Sequence, residues 1–340
     1  MRIPRVSYPF RVRSNNNHRK STSIRPKKIM KGARIAYSED LGLYQRIQHK
    51  FTDRKCPGCS GSNSVAFCIK DGFRYRRCQV CLSIYMSPGP TQELVDNFYA
   101  SSENYKYWSR IVYPQTRKQR FESLHKTRSL WLSNVLKKYS ARTLSSLRLL
   151  EFGAGDGGTL TRLQADLPTM KLWALEPNPD SRKLLKLSGL DLVDFADLET
   201  DTFDDFFSTI CSFEVIEHLL LPDRFFAIAA KVLKSDGLIF CSTPNSVSLE
   251  VGFLKDKSST VDIEHISLLS PLAIKFLCDA HGFELLELET PGEFDLELLQ
   301  DSKTFVLPNR LLRRGSRVTQ DAIKSAYVSS HMRFVARKIS

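Results

Sequence analysis

Three groups of residues in this chain have types and spacings suited to chemistry. The run Leu149–Leu160, LLEFGAGDGGTL, is the richest. It satisfies the dinucleotide fingerprint G-x-G-x-x-G through Gly153, Gly155 and Gly158, and a different pattern, E-x-G-x-G-x-G, through Glu151, Gly153, Gly155 and Gly157. Both put a tight glycine turn between a buried strand and a helix, where a Cβ would obstruct a ligand approaching the backbone. An acid at Glu176, closing the next strand, suits ribose hydroxyls under either pattern. Glu151 leans toward the second, because dinucleotide strands usually run apolar up to the first glycine.

The second group is Cys56-Pro-Gly-Cys59 with Cys78-Gln-Val-Cys81, two C-x2-C turns separated by eighteen residues. Such turns converge on one tetrahedral Zn²⁺, each supplying two thiolates. Four thiolates leave no position for water, so the ion would be structural and would replace a core that so short a segment cannot build. A pair of redox C-x-x-C motifs is disfavoured, since neither sits in a strand–turn–helix context. Cys68, Cys211, Cys241 and Cys278 lie in apolar runs and read as buried small hydrophobes.

The third group is Glu217-His218. A histidine beside a cofactor can take a proton from a hydroxyl or a carbon acid, and Glu217 can orient it or touch substrate. The competing reading makes Glu217 a helix N-terminal acid and His218 a packing residue. His265 either faces the same pocket or begins the next helix, and His331 is weaker still.

Elements that would position these groups can be read from periodicity. Phe67–Lys70 and Phe73–Arg77 form a hairpin around Asp71-Gly72, and Thr91–Tyr99 is a helix. A long basic helix follows near Gln115–Tyr139. Tyr99, Tyr105, Tyr107 and Trp108 are either substrate walls or packing residues. From Leu147 strands and helices alternate, as in a doubly wound α/β sheet. Strands fall at Leu147–Phe152, Met170–Leu175, Leu190–Asp194, Ser208–Phe213 and Leu238–Ser242. Helices start near Thr159 and span Asp180–Leu187 and Pro222–Leu233.

The net charge of +13 is unevenly spread: residues 1–38 carry +11, 39–150 carry +11, 151–302 carry −17 and 303–340 carry +8. An acidic centre repels a polyanion, so only the basic flanks could contact phosphates. No uninterrupted apolar run approaches the length of a membrane span, no secretory h-region is present, and a cytoplasmic location is the default expectation.

Further motifs follow in order: ALEPN at Ala174–Asn178, FEVIEHLLLP at Phe213–Pro222, VLKSDGLIFCSTPN at Val232–Asn245, EHISLLSP at Glu264–Pro271, HGFELLELETPGEFD at His281–Asp295 and SSHMRFVARK at Ser329–Lys338. With the glycine run, they make residues 145–340 resemble the class I methyltransferases that use S-adenosylmethionine (SAM). From Cys56 onward the chain is similar to methyltransferases with an N-terminal zinc-binding module, among them sugar C-methyltransferases and polysaccharide-associated relatives, although it lacks the former's long extra C-terminal domain. The resemblance implies a seven-stranded Rossmann-like sheet whose last strand is antiparallel, behind a small zinc-ribbon module.

It also implies roles. Glu151, Gly153, Gly155 and Gly157 would shape the methionine pocket, Glu176 would hold the ribose, Asp197 and Leu198 would border the adenine, and Phe213 and Glu214 would lie beside the methionine end. His218 and Glu217 would be catalytic, and Cys56, Cys59, Cys78 and Cys81 would hold zinc. No [DN]-P-P-[YF] motif or Pro-Cys nucleophile follows the fourth strand, which argues against exocyclic-amine and pyrimidine C5 chemistry.

The expected organisation is a basic, disordered extension at 1–54, a zinc module at 55–90, a helical linker or lid at 91–144 and a methyltransferase domain at 145–340. The expected activity is methyl transfer to an oxygen or carbon of a small metabolite, a nucleotide sugar or glycan precursor. The alternative is an RNA methyltransferase that grips phosphates with its zinc module and basic flanks.

Overall fold

The computed structural model describes residues 24–140, 143, 146–292 and 316–339. Its first element corrects the disorder expected over 1–54, of which residues 1–23 lie outside the described part. Helix α1 spans Lys27–Ile47 and buries Ala33, Ala36, Asp40 and Tyr44, a helical stripe inside a polar sequence. Partners distant in sequence hold it. Asp40 accepts hydrogen bonds from Ser102 Oγ at 2.6 Å and from the backbone N–H groups of Glu103 and Asn104 at 2.9 and 3.0 Å, capping the helix that starts there. Tyr44 packs edge-on against Phe51, Phe73 and Phe98.

The cysteine segment forms strands β1 (Ser64–Lys70), β2 (Phe73–Cys78) and β3 (Ile84–Met86). Asp71 and Gly72 make the β1–β2 turn with φ of 53° and 91°, which Asp and Gly accommodate more readily than most residues. This meander builds no core alone. Phe73, Tyr75, Ile84 and Met86 are buried together with Tyr44, Val95, Phe98, Val261, Ile263, Ile266 and Leu268.

Helix α2 (Gln92–Ser101) is capped by the Thr91 hydroxyl. The next three helices run on without leaving helical backbone: α3 (Glu103–Tyr107), α4 (Tyr113–Arg120) and α5 (Lys126–Tyr139), joined by π turns at Trp108–Val112 and Phe121–His125.

The main sheet contains β4 (Arg148–Phe152), β5 (Lys171–Leu175), β6 (Asp191–Val193), β7 (Phe207–Phe213), β8 (Leu233–Pro244), β10 (Phe283–Glu289) and β11 (His331–Lys338). Its order is β10-β11-β8-β7-β4-β5-β6. Strands β4 to β8 pair in parallel, whereas β11 is antiparallel to both β8 and β10. The sheet is therefore the doubly wound, seven-stranded α/β arrangement expected, with the basic C-terminal segment supplying a central strand. Of the motif at His281–Asp295, residues 293–295 lie outside the described part.

Helices α6 (Gly158–Asp166), α7 (Pro179–Leu187), α8 (Phe195–Glu199), α9 (Pro222–Val232), α10 (Leu249–Leu254), α11 (Pro271–Ala280) and α12 (Ser316–Ser325) complete the chain. The chain winds outward one way from β4 through β5 and β6, then returns to β7 on the other side of β4. That reversal opens a crevice at the carboxyl ends of β4 and β7, where open α/β sheets take their ligands. A two-residue strand, β9 (Ser267–Leu268), leaves this sheet's connections to pair with β3, so the cysteine meander becomes a four-stranded sheet, β1-β2-β3-β9. Among the described residues no helix is long and apolar enough to cross a membrane.

Candidate active site

The glycine loop follows β4 at the crevice. Gly153, Gly155 and Gly157 have φ of 77°, 56° and 71°, the left-handed region glycine enters freely. A Cβ on Gly153 would lie 2.5 Å from Val215 and one on Gly157 2.6 Å from Leu185, whereas above Gly155 the nearest atom is the Tyr113 hydroxyl at 3.6 Å. Space over the middle glycine is what a ligand approaching the backbone requires. Gly158 lacks the left-handed conformation and is the first residue of α6. The left-handed positions are thus the three glycines of E-x-G-x-G-x-G, while Gly158 is confined by space instead, a Cβ there lying 2.3 Å from His125 Nε2.

Carboxylates surround it. Glu176 accepts from the N–H groups of Gly155 at 2.8 Å and Asn178 at 2.9 Å, which leaves lone pairs of both oxygens for further donors. Burial raises its pKa above the ordinary carboxylate value. Glu151 is buried with Oε2 unpartnered, and burial pushes its pKa up to about 8 although Arg128 opposes this. A cofactor carrying an ammonium group and ribose hydroxyls would satisfy these acceptors, so the donor set fits SAM. Glu214, at φ 60°, accepts from Ser242 Oγ at 2.6 Å and has Oε2 3.1 Å from His331 Nε2. Burial pushes Glu214 up, but the His331 bond and charge prevail and hold it at about 2.

One face of the α3–α5 helix covers this loop. Ser109 Oγ lies 2.9 Å from Ser181 Oγ and donates to Asn178 Oδ1 at 3.2 Å. His125 Nδ1 is 3.1 Å from Thr159 Oγ1, and its Nε2 is 3.6 Å from Asp156 Oδ1. Arg120 Nε stands 3.7 Å from the other Asp156 oxygen, and the Arg128 guanidinium lies 4.6 Å from the Phe213 ring centroid. Burial lowers the His125 pKa to about 4, so the ring is neutral near pH 7. Periodicity gave no sign of these contacts, because the π turns shift the helical register between them.

Glu217 and His218 form the turn after β7. His218 Nδ1 lies 3.0 Å from the Glu264 carbonyl, and its Nε2 is 3.9 Å from Glu217 Oε1. Glu217 is fully buried: Oε2 accepts from Thr243 Oγ1 at 2.9 Å, and Oε1 has no partner. Burial, helped by Glu214, raises the Glu217 pKa, while burial and then His265 lower that of His218 to about 3. His265 begins no helix, since α11 starts at Pro271; its ring centroid lies 4.7 Å from that of His218. The Tyr99 ring stands edge-on to His218 at 6.4 Å and packs on Tyr105 at 5.2 Å.

The remaining sites separate. Asp197 Oδ2 accepts from the Asp194 N–H in a capping box, and Leu198 is buried in the core with Phe152, Leu175 and Val193. Sulfur atoms of Cys56, Cys59, Cys78 and Cys81 lie within 4.8 Å of one another, with Cys56–Cys81 at 3.3 Å and Cys59–Cys78 at 3.5 Å. Backbone N–H groups of Gly58 and Val80 point at Cys56 and Cys78 Sγ, both at 3.4 Å, as in turns that stabilise thiolates. Four such sulfurs fit a tetrahedral zinc, whose S···S edges are about 3.8 Å. Cys211, Cys241 and Cys278 are buried as expected, whereas Cys68 is only half-buried, on the meander's surface.

Comparison with known proteins adds one assignment. No curated protein matches the chain. Solved structures similar to it include a SAM-dependent methyltransferase from Archaeoglobus fulgidus, 18% identical, covering 66% of this chain and 100% of that one with a TM-score of 0.45. Phosphoethanolamine N-methyltransferase 2 of Haemonchus contortus is 16% identical and covers 63% and 53%, with a TM-score of 0.42. The YcgJ protein of Bacillus subtilis is 15% identical and covers 63% and 99%, with a TM-score of 0.41. A family model described as a methyltransferase domain matches residues 123–288. That span, which matches a methyltransferase domain, runs from the covering helix through the glycine loop and the Glu217–His218 turn to β10.

Proposed function

We propose that the chain transfers the methyl group of SAM to an oxygen or carbon atom of a small metabolite, with a sugar-linked acceptor as the class implied by the sequence resemblance. The observation that carries this is a juxtaposition: a left-handed glycine loop with an unpartnered Glu151 oxygen and a buried Glu–His pair follow the adjacent strands β4 and β7, with Gly153 against Val215 between them. Bound SAM supplies an electrophilic methyl group on a sulfonium. Glu151, Gly153, Gly155, Gly157, Phe213 and Glu214 would form the methionine end of its pocket, Glu176 the ribose contact, and Asp197 with Leu198 the adenine side.

The chain's own contribution is orientation and proton removal. Holding the acceptor in line with the sulfonium avoids much of the entropic cost of an encounter in solution. The Glu264 carbonyl can only accept a hydrogen bond, so His218 carries its proton on Nδ1 and presents the Nε2 lone pair to an acceptor proton. Burial holds the pKa of the ring at about 3, so proton transfer would depend on Glu217 Oε1, on the Nε2 side, stabilising the ring once it is charged. Cys56, Cys59, Cys78 and Cys81 would hold a structural zinc, with 55–90 as its module, 91–144 as the covering linker and 145–340 as the catalytic domain.

The test is incubation with methyl-labelled SAM and separate panels of nucleotide sugars, glycans and RNA, followed by mass spectrometry of the products. Label on a sugar-linked product is expected. Label on RNA alone, with binding that weakens steeply as salt rises, would instead establish the phosphate-binding alternative. Calorimetry with SAM is the control, and a folded chain giving no heat overturns the cofactor assignment.

A further inference from the structure

Among the described residues, two clusters bring three or more metal-ligand side chains within 4.8 Å: the four cysteines, and Glu217, His218 and His265. The second has the chemistry of a cation site. We propose that Glu217, His218 and His265 bind one divalent first-row cation beside the methyl-donor crevice. Its place in catalysis rests on the methyl-transfer proposal; its existence does not.

Three observations converge. His218 Nδ1 lies 3.0 Å from the Glu264 carbonyl and His265 Nδ1 2.8 Å from the Thr260 carbonyl. Carbonyls only accept, so both rings are protonated on Nδ1 and leave Nε2 as a lone pair, the arrangement by which ligating histidines are oriented. Glu217 is fully buried with Oε1 unpartnered on the side of His218 Nε2, and its other oxygen is tied to Thr243. Leaving a buried carboxylate oxygen unsatisfied is costly, and a cation is the partner that two neighbouring imidazoles can share with it.

Three donors sharing one ion at about 2.1 Å are roughly 3.0–3.6 Å apart, so binding would draw a cluster whose separations reach up to 4.8 Å together by about an ångström or more at its widest. Two nitrogens and a carboxylate suit Mn²⁺, Fe²⁺ or Zn²⁺ better than Mg²⁺ or Ca²⁺. Three protein ligands leave positions open to water or an acceptor oxygen, unlike the closed thiolate site. Ligation and proton acceptance use the same Nε2 lone pair of His218. A bound cation would therefore take the place of His218 as the group that handles the acceptor proton: the ion would supply acidity to an acceptor hydroxyl, whose proton would leave to solvent.

Mn²⁺ is the discriminating probe, because thiolates bind it poorly. The full-length chain, with zinc supplied to the cysteines, is titrated with Mn²⁺ and followed by electron paramagnetic resonance. One site is expected, weakened at least ~10-fold in Glu217→Gln and in His265→Ala. Absence of binding by the folded wild-type chain, or unchanged affinity in both variants, overturns the proposal. A check needing no variant is paramagnetic broadening of the His218 and His265 ring proton resonances; sharp lines at saturating Mn²⁺ overturn it equally. Mn²⁺ binding without methyl transfer to any acceptor supports the site and refutes the methyl-transfer proposal. Methyl transfer by a chain that binds no Mn²⁺ does the reverse.

Discussion

The cysteine cluster and the Glu217–His218–His265 cluster lie on either side of one short strand pairing, β3 with β9, and they are built on opposite principles. The cysteine set lies on two local turns, with a sequence separation of three within each, and its four sulfurs make a closed, soft donor set. The Glu–His set is assembled from the turn after β7 and a loop more than forty residues later, and it presents harder donors. On the function proposed above, one would be a fastener and the other open to chemistry. Fasteners are local and therefore readable from spacing, whereas reactive clusters are assembled by the fold.

That contrast can be tested by breaking each side. The largest effect is expected from Cys78→Ser or from zinc chelation. Either should unfold residues 55–90, a loss of several kcal/mol seen as protease sensitivity of the meander, and should also disturb β9. Full methyl-transfer activity after chelation would erase the link between the two sites.

Next comes His218→Ala, which should leave SAM affinity near wild type while lowering turnover ~10²-fold or more. A variant with normal turnover would reduce His218 to packing. Arg54→Ala should act on the join itself. Its guanidinium donates to the carbonyls of Leu220 at 2.6 Å and Ile266 at 3.0 Å and to Ser267 Oγ at 3.0 Å, tying the segment before the cysteines to both halves of the Glu–His site. Stranding those acceptors should cost about 2–3 kcal/mol, measurable by urea denaturation.

The smallest effect belongs to His331→Ala. Hydrogen bonding to Glu214 raises the His331 pKa, so its share of stability is complete below the unfolded value of 6.5 and is lost as pH climbs through the raised one. Glu214, depressed to about 2, contributes above its unfolded value of 4.5 and loses that contribution as pH falls through about 2. The pair therefore acts between about pH 4.5 and the raised His331 value. His331 is half exposed, so its removal should cost less than about 1 kcal/mol at pH 5.5 and a smaller amount at pH 9. Equal melting temperatures for variant and wild type at both pH values would remove the pair from consideration.

The parallel strands could be read in advance because each is an apolar run bounded by a turn, and Gly153, Gly155 and Gly157 because left-handed backbone at those positions favours glycine. Helix α1 was hidden because its buried positions include Asp40, a carboxylate whose partners lie over sixty residues away. His265 was ambiguous because nothing local places it beside His218; the register of β9 against β3 helps to do that. Thr243, the penultimate residue of β8, anchors Glu217 through a contact that no local pattern announces.

The π turns in the covering helix have a mechanical consequence. A π turn accommodates one residue more than an α turn, so Arg120 and His125, five apart, both reach Asp156 across the second of them. The helix behaves like a screw thread with an added shim, and everything beyond the shim is rotated by about 100° relative to an uninterrupted helix. Deleting one residue within Phe121–His125 would leave the composition and helical content nearly intact, yet turn His125 and Arg128 away from the loop they cover. Chain length at this point is thus a specification as strict as residue identity, and one that substitution alone would never reveal.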